Sequence, residues 1–183
     1  FEAMGGLLRR MPWTGLFFLL GCLSIAALPP FNGFVSEWLT FQTALQAPAL
    51  ESGVLRAVIP IVAAMLALTG ALAAACFVRI YGISFLGRPR SRHVGRAREV
   101  RMGMLIAQGC LAGLCVITGL LPTTVVTLIG TVTESLLHQP IAAATRHGWL
   151  WLTPIGPETA SYSAPLIMLG VLMALAAWFS VWA

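Results

Sequence analysis

Five long apolar stretches alternate with shorter polar segments along the chain. They cover residues 11–28, 31–47, 54–86, 102–129 and 163–183. A helix rises about 1.5 Å per residue, so the first stretch alone reaches about 27 Å, close to the ~30 Å hydrocarbon core of a bilayer. The pattern predicts an all-α, polytopic transmembrane helix bundle.

The composition strengthens this prediction. Apolar side chains make up 58% of the 183 residues and charged side chains only 9%, whereas an average soluble domain carries about 25% charged residues. So few charges do not cover a globular surface facing water. The composition therefore excludes an ordinary soluble enzyme and a disordered chain, and the lipid bilayer is the expected surrounding.

The positive charge is concentrated in one place. All 11 basic residues are arginines, the net charge is +5, and seven of the arginines lie between Arg79 and Arg101. Membrane proteins carry such clusters in loops on one side of the bilayer. We therefore interpret residues 87–101 as a basic loop and expect no nucleic-acid partner.

The distribution of arginines also bears on the number of crossings. If the first three stretches each crossed the membrane, Arg9 and Arg10 would lie opposite the Arg88–Arg101 cluster. If residues 31–47 and 54–86 together cross once, both basic clusters share a side, as the positive-inside tendency favours. This predicts a broken helix formed by 31–47 and 54–86, with a non-helical break near Pro48–Gly53.

The second half of the chain is expected to contain two more membrane helices, 102–129 and 163–183. The linker 130–162 mixes apolar with polar residues and is predicted to lie in the membrane interface. The chain begins at Phe1 without a methionine and ends inside an apolar stretch, so we expect it to be a fragment of a longer subunit.

Glu37 is the residue most suggestive of function. A carboxylate at membrane depth costs on the order of 2.5–3.5 kcal/mol, so it usually faces a bundle interior or a hydrated cavity. Burial disfavours its charged form, which lets it bind and release a proton near neutral pH. Pro29, Pro30 and Gly33 precede it and are suited to a local backbone distortion. The alternative is that Glu37 only solvates a helix end at the interface.

Arg79 is the second charge inside an apolar stretch. It lies nine residues before Arg88, so its long side chain could extend to the headgroups. The functional alternative is that it serves as a counter-charge for Glu37 or another carboxylate and belongs to a proton relay.

The chain carries no pattern typical of redox or hydrolytic chemistry. Its four cysteines lie inside apolar stretches without metal-ligand spacing, and it has no phosphate-binding loop, dinucleotide motif or catalytic triad. We therefore expect no catalytic centre, metal or cofactor in this chain.

Two segments resemble a known family. The sequences MGGLLRRMP (4–12) and ALPPFNGFVSEWL (27–39), followed by FLGRPRS (85–91), are similar to the antiporter-like membrane subunits. These subunits occur in respiratory complex I, multi-subunit cation/proton antiporters and membrane-bound hydrogenases. The Ser-Glu-Trp-Leu ending most resembles the branch found in hydrogenase-4 and formate hydrogenlyase complexes.

The resemblance implies a fold of two inverted five-helix repeats, each with one broken helix. Residues 1–101 would hold the end of the second repeat, and 102–183 the helices after it. In such subunits an ionisable residue of the broken helix ends a chain of buried relay residues. Glu37 would be that residue, Pro29, Pro30 and Gly33 would shape the backbone, and Arg79 could tune it.

The resemblance further implies partners: other membrane subunits and a peripheral electron-transfer arm, which would carry any iron–sulfur and nickel–iron centres. The leading hypothesis is a proton-translocating subunit of a hydrogenase-4 or formate-hydrogenlyase-like complex in a prokaryotic cytoplasmic membrane. One alternative is a subunit of a Na⁺(K⁺)/H⁺ antiporter. Another is a membrane anchor that conducts no ion.

Overall fold

The computed structural model describes residues 4–137, 151–152 and 162–182. The helices are α1 (Pro12–Ile25), α2 (Asn32–Ala44), α3 (Gly53–Phe85), the one-turn α4 (Arg92–Gly95), α5 (Met102–Leu120), α6 (Pro122–Leu137) and α7 (Ala164–Trp182). Two of them, α3 and α5, are long and apolar enough to cross a membrane. The fold is mostly helical, in agreement with the helical part of the prediction.

The longest helix, α3, is the axis on which the others are arranged. Its 33 residues extend about 50 Å at ~1.5 Å per residue, well beyond the ~30 Å hydrocarbon core. Large apolar side chains such as Val58, Met65 and Leu72 lie exposed along it. A helix with so much exposed apolar surface is suited to lipid or to neighbouring membrane subunits.

Helices α1 and α2 follow one another along α3. Near the start of α1, the Gly6 amide donates to the Leu86 carbonyl at 2.8 Å, and further on the Phe18 and Phe85 ring centroids are 5.2 Å apart. Near the end of α2, Ala44 shares a groove with Ile59. Residues later in the α1–α2 segment therefore contact residues earlier in α3. Both helices are antiparallel to α3 and point in one overall direction.

This arrangement differs from the predicted broken helix of 31–47 and 54–86. Residues 45–52, including the 3₁₀ turn Ala47–Ala49, reverse the chain, because α2 and α3 lie side by side in antiparallel orientation. An apolar pattern interrupted by a proline does not by itself distinguish a break from a reversal. The interruption between two helices of common direction lies earlier, at residues 26–31.

The basic segments nevertheless meet at one end of the bundle. A Cβ added to Gly5 would lie 2.6 Å from the Arg88 carbonyl oxygen, and one added to Gly6 would lie 2.9 Å from Pro89. Both glycines have positive φ, which only glycine adopts without strain. The backbone around Arg9 and Arg10 is thus held beside the start of the basic loop.

The predicted helix 102–129 is two helices. Helix α5 ends at Leu120 and α6 begins at Pro122, because proline lacks the amide that would continue the ladder and its ring clashes with the preceding turn. Helix α6 continues to Leu137, so the first residues of the predicted 130–162 linker are helical. Residues 138–150 and 153–161 of that linker lie outside the described residues.

Part of the second half packs back onto α2. Leu152 and Tyr162 form an antiparallel bridge, and both are buried with Val35 and Ala164 in one apolar cluster. The Tyr162 ring lies 5.4 Å from the rings of both Phe34 and Trp38, measured between centroids. This cluster covers the face of α2 that carries Phe34, Val35 and Trp38, the sequence neighbours of Glu37.

Candidate functional site

The junction between α1 and α2 is tightly packed. Ala27 has φ of +50°, unusual for a residue with a side chain, and Pro29 and Pro30 are joined by a cis peptide. A Cβ at Gly33 would overlap the carbonyl oxygen of Ser24, so the first turn of α2 lies directly against the last turn of α1. Glycine is needed there because of this approach.

A second glycine closes the junction from the side of α5. A Cβ at Gly119 would overlap the Pro30 carbonyl and lie 2.7 Å from the Asn32 amide nitrogen. The Ser24 hydroxyl meanwhile donates to the side-chain oxygen of Asn32. The junction therefore sets the position of α2 from two sides. Pro29, Pro30 and Gly33 were expected from the sequence to shape the backbone here, whereas the parts played by Ser24, Asn32 and Gly119 were not expected.

Glu37 lies one turn beyond Gly33 on α2 and is half-buried. Its carboxylate rests on α3 at Gly70, where an added Cβ would lie 3.3 Å from Oε2 and 3.5 Å from Oε1. Gly70 is 17 residues from the start of α3 and 15 from its end, so the carboxylate faces the middle of the longest helix. Within the described part of the chain, no residue forms a hydrogen bond or ion pair with Glu37.

A groove between α2 and α3 begins next to this carboxylate. Its volume is about 320 Å³, and its lining includes Thr40, one turn after Glu37, and Leu66, one turn before Gly70. The Thr40 hydroxyl donates to the Ser36 carbonyl at 2.9 Å, which leaves its oxygen lone pairs available as acceptors. The rest of the lining is apolar except for Thr43, so the two threonine hydroxyls are the polar side-chain groups of this groove.

Arg79 is placed away from Glu37. It follows Gly70 by nine residues on α3, which is two and a half turns and about 13.5 Å along the axis. It therefore projects from the opposite face of α3, and it is exposed. This position is consistent with a side chain that extends to the headgroups, and it does not bring Arg79 together with Glu37.

A second carboxylate, Glu99, occupies a site that the sequence analysis missed. Its carboxylate accepts hydrogen bonds from the Trp13 amide at 3.0 Å and from the Thr14 hydroxyl at 2.5 Å. It thus caps the amino-terminal end of α1, where Met11 provides no side-chain cap. An apolar residue at the N-cap position is the sequence signal that a distant acceptor is needed.

The surroundings of Glu99 favour its charged form. Partial removal from water raises the pKa of this carboxyl, but hydrogen bonds from Thr14, Trp13 and the Val100 backbone outweigh that effect and hold the pKa below its ordinary value. The partial positive charge of a helix amino terminus acts in the same direction. Glu99 is therefore a charged structural cap that ties the basic loop to α1.

A second cavity of about 340 Å³ lies among α1, α3 and α5. Its lining is largely apolar and includes Phe17, Phe77, Leu111 and the polar residue Gln108. The side-chain oxygen of Gln108 is buried and has no hydrogen-bond partner among the described residues. Across the same described ranges, no group of His, Cys, Asp or Glu side chains is placed to hold a metal ion.

Comparison with known families gives a match at the start of the chain. Residues 1–59, which include α1, the junction and α2, match the family described as NADH:quinone oxidoreductase/Mrp antiporter, transmembrane. The matched segment therefore contains Pro29, Pro30, Gly33 and Glu37.

Among curated proteins, hydrogenase-4 component B of Escherichia coli K12 is 50% identical over 119 residues, covering 65% of this chain and 18% of the relative. Formate hydrogenlyase subunit 3 of the same organism is 38% identical over 118 residues, 64% of this chain and 19% of the relative. Na⁺/H⁺ antiporter subunit A1 of Staphylococcus aureus JH9 is 29% identical over 191 residues, 99% of this chain and 22% of the relative. The chain thus spans about a fifth of the length of these relatives.

Among solved structures, a chain of the membrane-bound sulfane sulfur reductase, an archaeal respiratory membrane complex, superposes with a TM-score of 0.63. The match covers 97% of this chain and 26% of the other, at 22% sequence identity. At that identity the likeness concerns the fold.

Proposed function

We propose that this chain is part of an antiporter-like integral membrane subunit, and that it translocates protons in a hydrogenase-4 or formate-hydrogenlyase-like complex of a prokaryotic cytoplasmic membrane; its similarity to subunits of such complexes supports this. Glu37 is the proton-relay group. The observation that carries this proposal is the Glu37 carboxylate itself, which faces the middle of α3 and has no hydrogen-bond or ion-pair partner among the residues that the structure describes.

The depth of Glu37 supports a functional role. Because Gly70 divides α3 almost equally, a bilayer centred on α3 places the carboxylate near its midplane, where a charge costs on the order of 2.5–3.5 kcal/mol. A structural acid at that depth is normally paired. An unpaired acid beside a groove that admits water is suited to taking up a proton and releasing it.

In this proposal α1 and α2 form the broken helix of the family, interrupted at residues 26–31. Helix α1 contains 14 residues and α2 contains 13. At ~1.5 Å per residue their combined length is about 40 Å, which suffices to cross the ~30 Å core. Two observations support this assignment. Helices α1 and α2 follow one another along α3 in the same direction, and both basic segments lie at the same end of the bundle. The inverted repeat itself requires the part of the subunit that precedes this chain.

In the proposed proton translocation, this chain holds a proton acceptor in position. The carboxylate oxygens of Glu37 accept the proton, the α1–α2 junction fixes the height of α2, and the groove at Thr40 admits water for exchange. The remaining relay residues are expected upstream in the same subunit, outside this chain. Any iron–sulfur and nickel–iron centres belong to a peripheral electron-transfer arm, whose redox state drives the protonation changes.

A second candidate is a subunit of a Na⁺(K⁺)/H⁺ antiporter. The similarity to the antiporter subunit, which extends over 99% of this chain, favours it. The two candidates differ in their ion requirement, since an antiporter would need sodium or potassium to build a pH gradient. A membrane anchor that conducts no ion is the third possibility, and it would tolerate the loss of the Glu37 carboxylate.

The test is a comparison of Glu37→Gln and Glu37→Asp in the full-length subunit, assembled in its native complex and reconstituted in vesicles. Gradient formation and electron-transfer rate are measured together, with and without sodium. Glu51→Gln is the control, because Glu51 is an exposed carboxylate in the turn before α3. We expect Gln to abolish the gradient in an assembled complex and Asp to retain part of it. An unchanged gradient in Glu37→Gln would leave the anchor role.

A further inference from the structure

We infer that Gly70 is a positioning residue of the Glu37 site: the absence of a side chain keeps the carboxylate against α3 and open to water from the α2–α3 groove. This inference rests on the proposed proton-relay function of Glu37. It concerns a residue of α3 that lies outside the matched family segment 1–59.

Gly70 and the Glu37 carboxyl group are in direct contact. The Gly70 backbone lies so close to Glu37 that an added Cβ would approach both carboxylate oxygens, at 3.3 and 3.5 Å, and the carboxyl carbon at 3.8 Å. The three atoms nearest to this added Cβ all belong to this one carboxyl group. An alanine would push the carboxylate by a few tenths of an ångström, and a valine would occupy the space where it now rests.

The Glu37 carboxylate also needs hydrogen-bond donors. A charged carboxylate accepts several hydrogen bonds, and Glu37 receives none from the residues that the structure describes. In this proposal water provides them when the group is ionised. A groove with room for such water has Thr40 and Leu66 in its lining, each one turn from the Glu37–Gly70 contact. A side chain at position 70 would stand between the carboxylate and the adjoining turn of α3.

The glycines of α3 differ in the space around them. Gly53 and Gly82 have no atom within 4 Å of an added Cβ, so side chains there meet open space. A glycine inside a helix costs about 0.5–1 kcal/mol relative to alanine. Gly82 also lies on α3 and is the matched control for a change at Gly70.

The experiment compares Gly70→Ala and Gly70→Val with Gly82→Val in the assembled complex. The first readout is the pH profile of proton translocation. The second is the infrared C=O band of the protonated Glu37 carboxyl, identified as the band lost in Glu37→Gln. We expect Gly70→Val to change both the pH profile and the frequency of this band, because the valine side chain would occupy the space in which the carboxylate rests. Gly70→Ala should give a smaller change in both readouts, and Gly82→Val none.

Equal behaviour of Gly70→Val and Gly82→Val in both readouts would overturn the inference. If Gly70→Val does not assemble, the infrared band of Gly70→Ala decides, and an unshifted band contradicts the inference. The proposed function fails separately, when Glu37→Gln retains the gradient.

Discussion

Glu99 and Glu37 have the same side chain in contrasting surroundings. Glu99 lies outside the apolar helices and accepts hydrogen bonds from Trp13 and Thr14 at the start of α1. Glu37 lies against the middle of α3, where Gly70 presents no donor. The first carboxylate is fixed in its charged form by its partners. The second has no hydrogen-bond or ion-pair partner among the described residues, and the proposed relay role rests on this difference.

The two sites are also held differently. The end of the bundle near Glu99 is joined by backbone contacts, among them the Gly6–Leu86 hydrogen bond. Glu37 is positioned indirectly, through the junction that Gly33 and Gly119 allow. Changes at the junction should therefore impair proton translocation, whereas changes at Glu99 should affect local stability alone.

The largest effect is expected from Gly33→Ala. Its Cβ would overlap the Ser24 carbonyl, and overpacking against backbone costs about 1–3 kcal/mol or more. We expect a clear loss of assembled complex and of proton translocation in what assembles. Gly21→Ala is the control, since an added Cβ there meets no atom within 4 Å. The amount of assembled complex and the gradient per electron transferred measure the effect, and equal values for the two variants would contradict this account of the junction.

Glu99→Gln should weaken the cap of α1 without changing proton translocation, in contrast to Glu37→Gln. The amide cannot provide the charge that favours a helix amino terminus, an interaction of about 0.3–1 kcal/mol. We expect hydrogen exchange at the Trp13 amide to become about two- to five-fold faster, the same energy expressed as a rate ratio. The ratio of protons translocated to electrons transferred should stay at the parent value. A collapse of that ratio would show that Glu99 takes part in transport.

The pH dependence of the same amide should reveal the charge on Glu99. Because its folded-state pKa is lowered, its stabilising effect is present above the ordinary carboxyl range and is lost as pH falls through the folded-state value. Protection of Trp13 from exchange, corrected for the intrinsic rate, should therefore decline on acidification. The decline should be absent in Glu99→Gln. A decline that persists in this variant would assign the effect to another group.

The smallest effect is expected from Arg79→Gln. Arg79 projects from the face of α3 opposite Gly70, so its removal should leave the gradient and the pH profile of translocation unchanged. Arg79→Lys should behave in the same way. A loss comparable to that of Glu37→Gln, measured in the same vesicles, would revive the hypothesis that Arg79 tunes the relay.

The helical class and the membrane surroundings could be predicted because apolar runs such as those of α3 and α5 are local features of the sequence. Glu37 stood out for the same reason, as a charge in an apolar run. The reversal at residues 45–52 could not be predicted, since only the contacts of α2 with α3 distinguish it from a break. Pro122 carried a visible signal, because a proline inside an apolar run commonly ends a helix.

The partners of the two carboxylates could not be predicted from the sequence. Glu99 meets Trp13 across 86 positions of the chain, and Gly70 meets Glu37 across 33. Neither pair has a local pattern, because each depends on how α1, α2 and the basic loop pack along α3. The sequence identified residue types that suit a proton site, and only the fold assigned them neighbours.

Infrared difference spectroscopy of the reconstituted complex during turnover tests the central claim most directly, because it observes the protonation of individual carboxyl groups. The account predicts a carboxyl C=O difference band that disappears in Glu37→Gln and remains in Glu99→Gln. A turnover spectrum in which the Glu37→Gln variant keeps every carboxyl band, while the complex still builds its gradient, would contradict the assignment of Glu37 as the proton-relay group.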